Sequence, residues 1–363
     1  MSGYTLYGAD VSYYTGKARA YLRWRGVPFT EEVATQTVYK DVILPNVGWP
    51  VIPVLKTPDG KIVQDTADII QSVEAAESSQ PRVYPDGPIQ RFVSELLHLY
   101  ADEWLVLPAM HYRWNYNEDW TYGEFGRMSA PHLSAEEQYQ IGAKNGQRFK
   151  GSLPVLGVSS ATEPGIEVSY EAFLDEFSRH LADHDYILGG RPSLADFALI
   201  GPLYAHLWRD PTSRELMETK APKVAEWVRR VHEGQAGGGD LIANDEIPET
   251  LFPILERQMR EQWPALVSTL ELFADWLESA ETDGKVPRGL GEIEIEIEGR
   301  KGPAVARSFP LFRLQGVLDA YEQLGAEART TADRILDKIG GTALRDTRLP
   351  ARLVRRDYRL ALA

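Results

Sequence analysis

Residues 51–70, VIPVLKTPDGKIVQDTADII, restrict the possible folds of this chain more than any other stretch. The run 51–55 is rich in β-branched residues but contains Pro53. Because proline cannot donate a hydrogen bond to a neighbouring strand, the pattern predicts a strand with an exposed edge or a bent end. Residues 57–60, TPDG, favour a turn, since proline presets φ and glycine tolerates a positive φ. Residues 61–63 then predict the return strand of a hairpin.

Asp65 and Thr66 follow the hairpin and begin a predicted helix. Side chains of these types often accept hydrogen bonds from the first amides of a helix. The amides that remain free, together with the helix dipole, favour the binding of an anion. A strand with an accessible edge and an anion-binding helix start are therefore predicted one hairpin apart.

The residues before this stretch predict a strand, a helix and a second strand, at 4–7, 14–24 and 29–33. Gly26 follows the helix, and glycine readily takes the left-handed conformation that ends many helices. The predicted order is strand, helix, strand, followed by a hairpin and a helix. This is the order of a thioredoxin-like domain.

This order and the motif at 51–70 resemble the glutathione-binding half of the glutathione S-transferase superfamily, which has a thioredoxin-like fold. The resemblance implies that the peptide bond between Ile52 and Pro53 is cis, and that Ile52 binds the cysteinyl backbone of glutathione. It also implies that Asp65 and Thr66 hold the γ-glutamyl end. Lys40 is placed to reach the glycyl carboxylate, or is a solvated surface lysine.

The segment 12–22, SYYTGKARAYL, matches the superfamily's first strand-to-helix junction. In serine-type transferases the matching hydroxyl donates a hydrogen bond to the glutathione sulfur, which implies that Ser12 is the catalytic residue. The chemistry needs a donor because the attacking species is the thiolate, and a hydroxyl at a positive helix end lowers the pKa of a thiol. Tyr7, Tyr13 and Tyr14 are alternative donors, and Ser12 is otherwise an ordinary N-cap. Tyr13 replaces the proline that is usual in the family.

The segment 78–88, SSQPRVYPDGP, is rich in helix breakers and predicts an interdomain linker. Residues 89–107 then have apolar side chains at helical spacing, which predicts one helix with a buried face. In the resemblance, this region lines the pocket for the electrophilic substrate. The candidate pocket residues are Tyr14, Trp104, Met110, His111, Tyr112 and Trp114, for which packing in the core is the alternative.

A second motif, GGRPSLADFA at 189–198, predicts a capping box. In a capping box, the side chains of Ser193 and Asp196 satisfy amides at the start of a helix. The superfamily carries this element at the start of a buried helix in its α-helical domain, so the resemblance implies a role in folding.

The resemblance ends near the glycine-rich break at 235–240. Beyond it, Glu alternates with Ile293, Ile295 and Ile297, which predicts a half-buried strand. The other predicted elements are a helix at 250–279, a turn at 299–302, a second strand at 304–309, and helices at 311–324 and 330–339. Covering the substrate pocket and forming a subunit interface are both open as roles for this extension.

Composition excludes several other functions. The formal net charge of −14 argues against a nucleic-acid binder, since phosphate contacts need clustered Lys and Arg. The chain has no cysteine, which excludes disulfides and thiol-disulfide exchange by its own residues.

No apolar run reaches the ~20 residues of a membrane span, and the N-terminus has no signal pattern, so a cytoplasmic location is the default expectation. A metal site is not expected, because His180 and His184 lack the glutamate of a zinc-binding helix.

These features together predict a thioredoxin-like glutathione-binding domain at 1–80, a linker at 81–88, an α-helical domain at 89–236 and an α+β extension at 241–363. The expected function is a glutathione transferase, a homodimer that joins glutathione to a small hydrophobic electrophile or displaces a group from it. A non-catalytic binding or assembly protein with the same fold is the alternative. Glutathione-dependent ether cleavage or isomerisation would use the same site.

Overall fold

The computed structural model describes residues 3–279 and 284–363 of the chain. The strands of this part are β1 (Tyr4–Gly8), β2 (Phe29–Val33), β3 (Val54–Lys56), β4 (Ile62–Gln64), β5 (Gly289–Ile297), β6 (Arg300–Arg307), β7 (Leu353–Arg356) and β8 (Arg359–Leu362). Its longer helices are α1 (Tyr13–Arg25), α2 (Thr66–Ala76), α3 (Pro88–Glu103), α4 (Val106–Tyr116), α5 (Glu118–Ser129), α6 (Ala135–Lys150), α7 (Glu163–Asp183), α8 (Leu194–Ala205), α9 (Pro211–Lys220), α10 (Pro222–Glu233), α11 (Phe252–Ser279), α12 (Ser308–Glu322) and α13 (Ala326–Lys338). Short helical segments lie at Gln36–Val38, Tyr39–Ile43, Leu44–Val47, Leu153–Leu156, Ala243–Asp245, Glu249–Leu251 and Thr342–Asp346.

The chain divides into two compact units, and both are discontinuous in sequence. The first unit consists of residues 1–83, 109–152 and 196–237, and the second of residues 84–108, 153–195 and 238–363. The consecutive domain boundaries expected from the sequence stay a prediction. Among the described residues, no helix has both the length and the apolar composition that crossing a membrane requires.

A four-stranded sheet in the order β2-β1-β3-β4 forms the centre of the first unit. β1 pairs with β2 in parallel, whereas β3 is antiparallel to both β1 and β4. Leu6, Val54 and Leu55 are fully buried in this sheet. The order of elements expected for a thioredoxin-like domain is therefore confirmed.

β3 is shorter than the sequence predicts. It begins at Val54, directly after Pro53, whereas residues 51–55 were expected to form the strand. The physical reason is that proline has no N–H to donate, so pairing with a neighbouring strand starts one residue later.

The single helix predicted at 89–107 is wrong, because α3 ends at Glu103 and α4 starts at Val106. Pro108 explains the interruption. A proline in the middle of a helix cannot bond to the carbonyl four residues earlier, here that of Trp104, and its ring clashes with that carbonyl. Pro108 instead lies in the first turn of α4, where no such bond is needed.

α8 begins at Leu194, directly after Ser193, as the second sequence motif predicts. The side chains of Ser193 and Asp196 are fully buried. Asp196 accepts a hydrogen bond of 3.2 Å from the indole Nε1 of Trp227, which ties the start of α8 to α10. A buried acceptor of this kind favours one packing of the helix, since leaving it without a donor would be costly.

The hairpin of β5 and β6 confirms the alternating strand in the second unit. Ile293 is half-buried, Ile295 and Ile297 are buried, and the glutamates that alternate with them are exposed. The turn is shorter than the 299–302 expected, because Ile297 pairs directly with Arg300 across Glu298 and Gly299. Both turn residues have positive φ, 48° and 73°, as a two-residue turn that matches the twist of a hairpin requires. β6 therefore starts earlier than residue 304, and the residues after Arg307 form α12.

The hairpin of β7 and β8 was not predicted from the sequence. Its strands carry several arginines, and charged residues are uncommon in strands with a buried face. Its turn also has two residues of positive φ, Asp357 and Tyr358. Leu353 and Ala361 are the side chains that it buries.

Residues after 240 complete α3 within the second unit. The carboxylate of Asp245 accepts hydrogen bonds from the amides of Ile89 (2.8 Å) and Gln90 (2.9 Å), the first amides of α3. The side-chain amides of Gln258 and Gln262 on α11 donate to the carbonyls of Leu96 and Leu99 on α3. The C-terminal third is therefore part of the core of this unit.

Candidate functional site

The strand pairing of the first unit collects three chain segments at one end of the sheet. Tyr7 pairs with Val54, and Val54 pairs with Gln64, so the three residues form a row across β1, β3 and β4. Because β3 is antiparallel to its neighbours, the chain leaves β1, enters β3 and leaves β4 at this same end. The segments that meet there carry Ser12, Ile52 with Pro53, and Asp65 with Thr66.

Ser12 is the N-cap residue of α1. Its Oγ accepts a hydrogen bond of 3.2 Å from the amide of Thr15, and its own amide donates to the carbonyl of Ala9 at 3.0 Å. The first bond orients the hydroxyl and uses it as an acceptor, so its hydrogen can still be donated to another group. The side chain is half-buried at the positive end of the helix dipole.

The peptide bond between Ile52 and Pro53 is cis, as the resemblance implies. Pro53 is buried, whereas Ile52 is half-buried. Because β3 begins at Val54, the backbone of Ile52 lies outside the paired part of the sheet, two residues before the strand.

Asp65 is the N-cap residue of α2 and has an unusual backbone conformation. Its φ is 83° and its ψ is 137°, a region that residues other than glycine rarely occupy. Its Oδ1 accepts a hydrogen bond of 3.0 Å from the amide of Ala67, and Thr66 is buried beside it. Backbone strain of this kind costs about 1–3 kcal/mol and is concentrated at functional sites in proteins.

Two domain models match the chain. A model described as the glutathione S-transferase N-terminal domain matches residues 6–81, and one described as the glutathione S-transferase C-terminal domain matches residues 161–230. The chain belongs to the glutathione S-transferase superfamily. The N-terminal match includes all three segments at the end of the sheet, so membership supports glutathione binding at the level of the family.

Solved structures of the superfamily are similar to this chain at low sequence identity. A Tau class glutathione S-transferase from mango, Mangifera indica, is 19% identical over 68% of this chain and 94% of its own, with a TM-score of 0.40. A glutathione S-transferase from Ceriporiopsis subvermispora, solved in complex with glutathione, is 15% identical over 66% of this chain and 100% of its own, with a TM-score of 0.45. A beta-etherase from a Sphingobium species is 17% identical over 63% of this chain and 95% of its own, with a TM-score of 0.45. A search by sequence found no matching curated protein.

The tyrosines proposed as alternative donors in this superfamily site differ in exposure. Tyr7 lies in the row at the end of the sheet and is buried, and burial, followed by the nearby Glu32 carboxylate, raises its pKa. Tyr13 is buried and Tyr14 half-buried, with their ring centroids 4.8 Å apart. Because Tyr7 and Ser12 both lie near this end of the sheet, the choice between them stays a prediction.

The remaining predicted site residues lie in several places. Lys40 is exposed on the short π-helical segment Tyr39–Ile43 of the first unit. Trp104 belongs to the second unit, where its indole Nε1 donates to Glu261 at 3.3 Å. The other pocket candidates belong to the first unit, and those on α4 are buried: Met110, His111, Tyr112 and Trp114. Their assignment to a substrate pocket stays a prediction.

The sequence predicted packing or hydrogen bonding for His206, but it did not link this residue to Arg113 and Asp210, with which it forms a group of buried polar residues beside Ser12. Arg113 donates to the carbonyl of Val11 at 2.7 Å and forms two bonds of 2.7 Å to Asp210. The available signal was an arginine within the aromatic run HYRW, where an exposed side chain is not expected. Its partners could not be found in this way, because they lie more than 90 residues from it in sequence.

Proposed function

We propose that this protein binds glutathione at the end of its four-stranded sheet and uses the glutathione thiolate as a nucleophile against a small hydrophobic electrophile. The observation that carries the proposal is the row of Tyr7, Val54 and Gln64, which brings two helix starts and the backbone before β3 to one place. Helix starts favour anions, and glutathione has two carboxylates and a reactive thiolate. Membership of the superfamily supports this function in its general form.

Each residue has a distinct role in the proposal. The hydroxyl of Ser12 donates to the sulfur and, with the dipole of α1, favours the thiolate over the thiol. The backbone of Ile52, fixed by Pro53, pairs with the cysteinyl part of the tripeptide. Asp65 and Thr66 hold the γ-glutamyl end, and Lys40 is available to the glycyl carboxylate.

The thiolate forms a carbon–sulfur bond with the electrophile. In a substitution the leaving group departs with the electron pair of its bond, and in an addition the product takes up a proton. Ether cleavage and isomerisation would begin from the same thiolate, so the site fits a class of reactions. A homodimer remains part of the proposal.

Asp65→Gly tests the proposal directly. Glycine adopts a φ of 83° without strain, so this variant removes the carboxylate and leaves the backbone conformation accessible. We expect glutathione binding to weaken by about 1.5–3 kcal/mol, the size of a lost charge-assisted hydrogen bond. Isothermal titration calorimetry measures the binding, and thermal unfolding should show no loss of stability beyond the few tenths of a kcal/mol of the cap.

Asp59→Ala is the matched control. Asp59 is an exposed carboxylate of the same hairpin, in the turn at the opposite end from Asp65, so its loss should leave the affinity for glutathione unchanged. Undetectable binding of glutathione by the parent protein would overturn the proposal and favour a non-catalytic assembly protein with this fold.

A further inference from the structure

A buried arginine contacts the residue before Ser12. Arg113 on α4 is 2% exposed, and Asp210 is fully buried. The guanidinium donates from Nε and Nη2 to the two carboxylate oxygens of Asp210, both at 2.7 Å. Its Nη1 donates to the carbonyl of Val11 at 2.7 Å. Because the bidentate pair fixes the orientation of the guanidinium plane, the position of the Val11 carbonyl is fixed with it.

The same group of residues contacts the residue after Ser12. His206 Nε2 lies 2.9 Å from Arg113 Nη1, and since a guanidinium can only donate, the imidazole is the acceptor and is neutral. The His206 ring packs edge-on against the ring of Tyr13, with centroids 5.5 Å apart. Gly201 makes room for the Tyr13 ring, because a Cβ at position 201 would lie 2.9 Å from Tyr13 Cε1.

We propose that Arg113, His206 and Asp210 form a positioning cluster, which holds the Ser12 hydroxyl against the sulfur of bound glutathione through Val11 and Tyr13. This inference rests on the proposed function. A hydrogen bond weakens steeply as its angle and length depart from the optimum, and a hydroxyl on a loop keeps its geometry only if the adjacent backbone is fixed. Tyr13, where the superfamily usually has proline, holds the loop by packing instead.

Arg113→Lys is the primary test. Lysine keeps the charge opposite Asp210 but cannot bind a carboxylate in bidentate fashion and a carbonyl at the same time. We expect the thiol of bound glutathione to titrate about one pH unit higher, because a displaced hydroxyl stabilises the thiolate less. Ultraviolet absorbance of the thiolate follows this titration. At a pH below the titration of the bound thiol, the affinity for glutathione should change less than about twofold, because the thiol is then protonated and Asp65 is not altered.

A second comparison separates positioning from general damage to the fold. In a Ser12→Ala background, Arg113→Lys should shift the thiol titration by less than about 0.2 pH units, because the hydroxyl through which it acts is gone. An equal shift in both backgrounds would overturn the inference. If the parent does not bind glutathione, the proposed function fails and the inference fails with it. If the parent binds glutathione but Ser12→Ala alone leaves the titration unchanged, a tyrosine takes the role of Ser12, and the inference fails while glutathione binding stands.

Two further variants keep the test decisive if Arg113→Lys does not fold. Gly201→Ala places a Cβ against the Tyr13 ring and leaves the ionic groups unchanged. It should raise the pKa of the bound thiol in the parent but not in the Ser12→Ala background. Arg25→Lys is the matched control, since Arg25 also combines a carboxylate, Glu74, with backbone carbonyls, but at residues 77 and 79. It should leave the titration unchanged, and a shift equal to that of Arg113→Lys would overturn the inference.

Discussion

Each of the two units contains a buried arginine, and the two arginines bind different kinds of acceptor. Arg113 in the first unit bonds to one carboxylate, Asp210, and to the backbone carbonyls of Val11 and Ala205. Arg257 in the second unit bonds to three carboxylates, which belong to α7, to α11 and to the turn of the β5–β6 hairpin: Glu176 at 2.6 Å, Glu261 at 3.2 Å and Glu298 at 2.7 Å.

The difference teaches what a buried arginine can hold in place. Bonds to carbonyls fix the path of the backbone, which suits the loop that carries Ser12. Bonds to carboxylates join the side chains of separate elements, here α7, α11 and the turn of the β5–β6 hairpin. Arg113 and Asp210 balance in charge, whereas the carboxylates around Arg257 outnumber the nearby arginines, so loss of Arg257 leaves more charge uncompensated.

The largest expected effect is that of Arg257→Met. It should lower the free energy of unfolding by about 3–5 kcal/mol, because the buried carboxylate of Glu261 and the partly exposed carboxylates of Glu176 and Glu298 would lose their common cation. Adding Glu261→Gln should recover part of this loss, since one buried negative charge is then absent. Urea unfolding followed by tryptophan fluorescence measures both.

Arg260→Met is the control for this prediction. Arg260 contacts Glu261 and Glu298 as well, but its side chain is 54% exposed, so the loss should stay below about 1 kcal/mol. Equal losses for Arg257 and Arg260 would contradict the contrast between the two arginines.

A smaller effect concerns acid. Burial, followed by the charge of Arg113, holds the pKa of His206 well below its usual value. The partners of Arg257 among the described residues are instead three carboxylates and the hydroxyl of Ser169. The folded protein therefore keeps His206 neutral while the unfolded chain binds a proton below about pH 6.5, so stability is present above that pH and falls below it. The loss is up to about 2 kcal/mol between pH 6.5 and pH 5.

His206→Gln should reduce this acid-dependent loss, because the amide oxygen of glutamine can accept from Arg113 without titrating. Denaturant unfolding at several pH values measures it. His132→Gln is the control, because it changes an exposed histidine. Its free energy of unfolding should depend on pH as that of the parent does. If the unfolding free energy of His206→Gln depends on pH as steeply as that of the parent, His206 is not the cause of the acid sensitivity.

The smallest effect tests a second long-range contact of the second unit. Asp245→Ala should lower the free energy of unfolding by about 1 kcal/mol, because the amides of Ile89 and Gln90 lose their acceptor at the start of α3. Asp245→Asn keeps one of the two acceptor oxygens and tolerates the φ of 57°, so it should lose less than Asp245→Ala. Thermal unfolding distinguishes the two, and equal losses would show that the cap is not the cause.

Local patterns were enough for much of the fold. The turn TPDG, the N-cap at Asp65 and the alternation of Glu with Ile are each encoded within a few residues, and the structure has the corresponding elements where they were expected. The β7–β8 hairpin was missed because its strands bury few side chains and carry many charges. The break after α3 was missed because apolar periodicity continues across it, although Pro108 marked the place.

The candidate site divides in the same way. Ser12, Pro53, Asp65 and Thr66 could be proposed from motifs, since each lies next to a recognisable strand end or helix start. Arg113 and Asp210 could not, because no local pattern links an arginine to a carboxylate 97 residues later.

The sequence by itself determined which segments become strands, turns and capped helices, because those preferences depend on neighbouring residues and backbone sterics. Only the tertiary structure decided that Tyr7, Val54 and Gln64 form one row, and that Arg113 holds the residue before Ser12. The physical reason is that strand register and buried ion pairs depend on which distant groups are desolvated together, and that is settled when the chain packs.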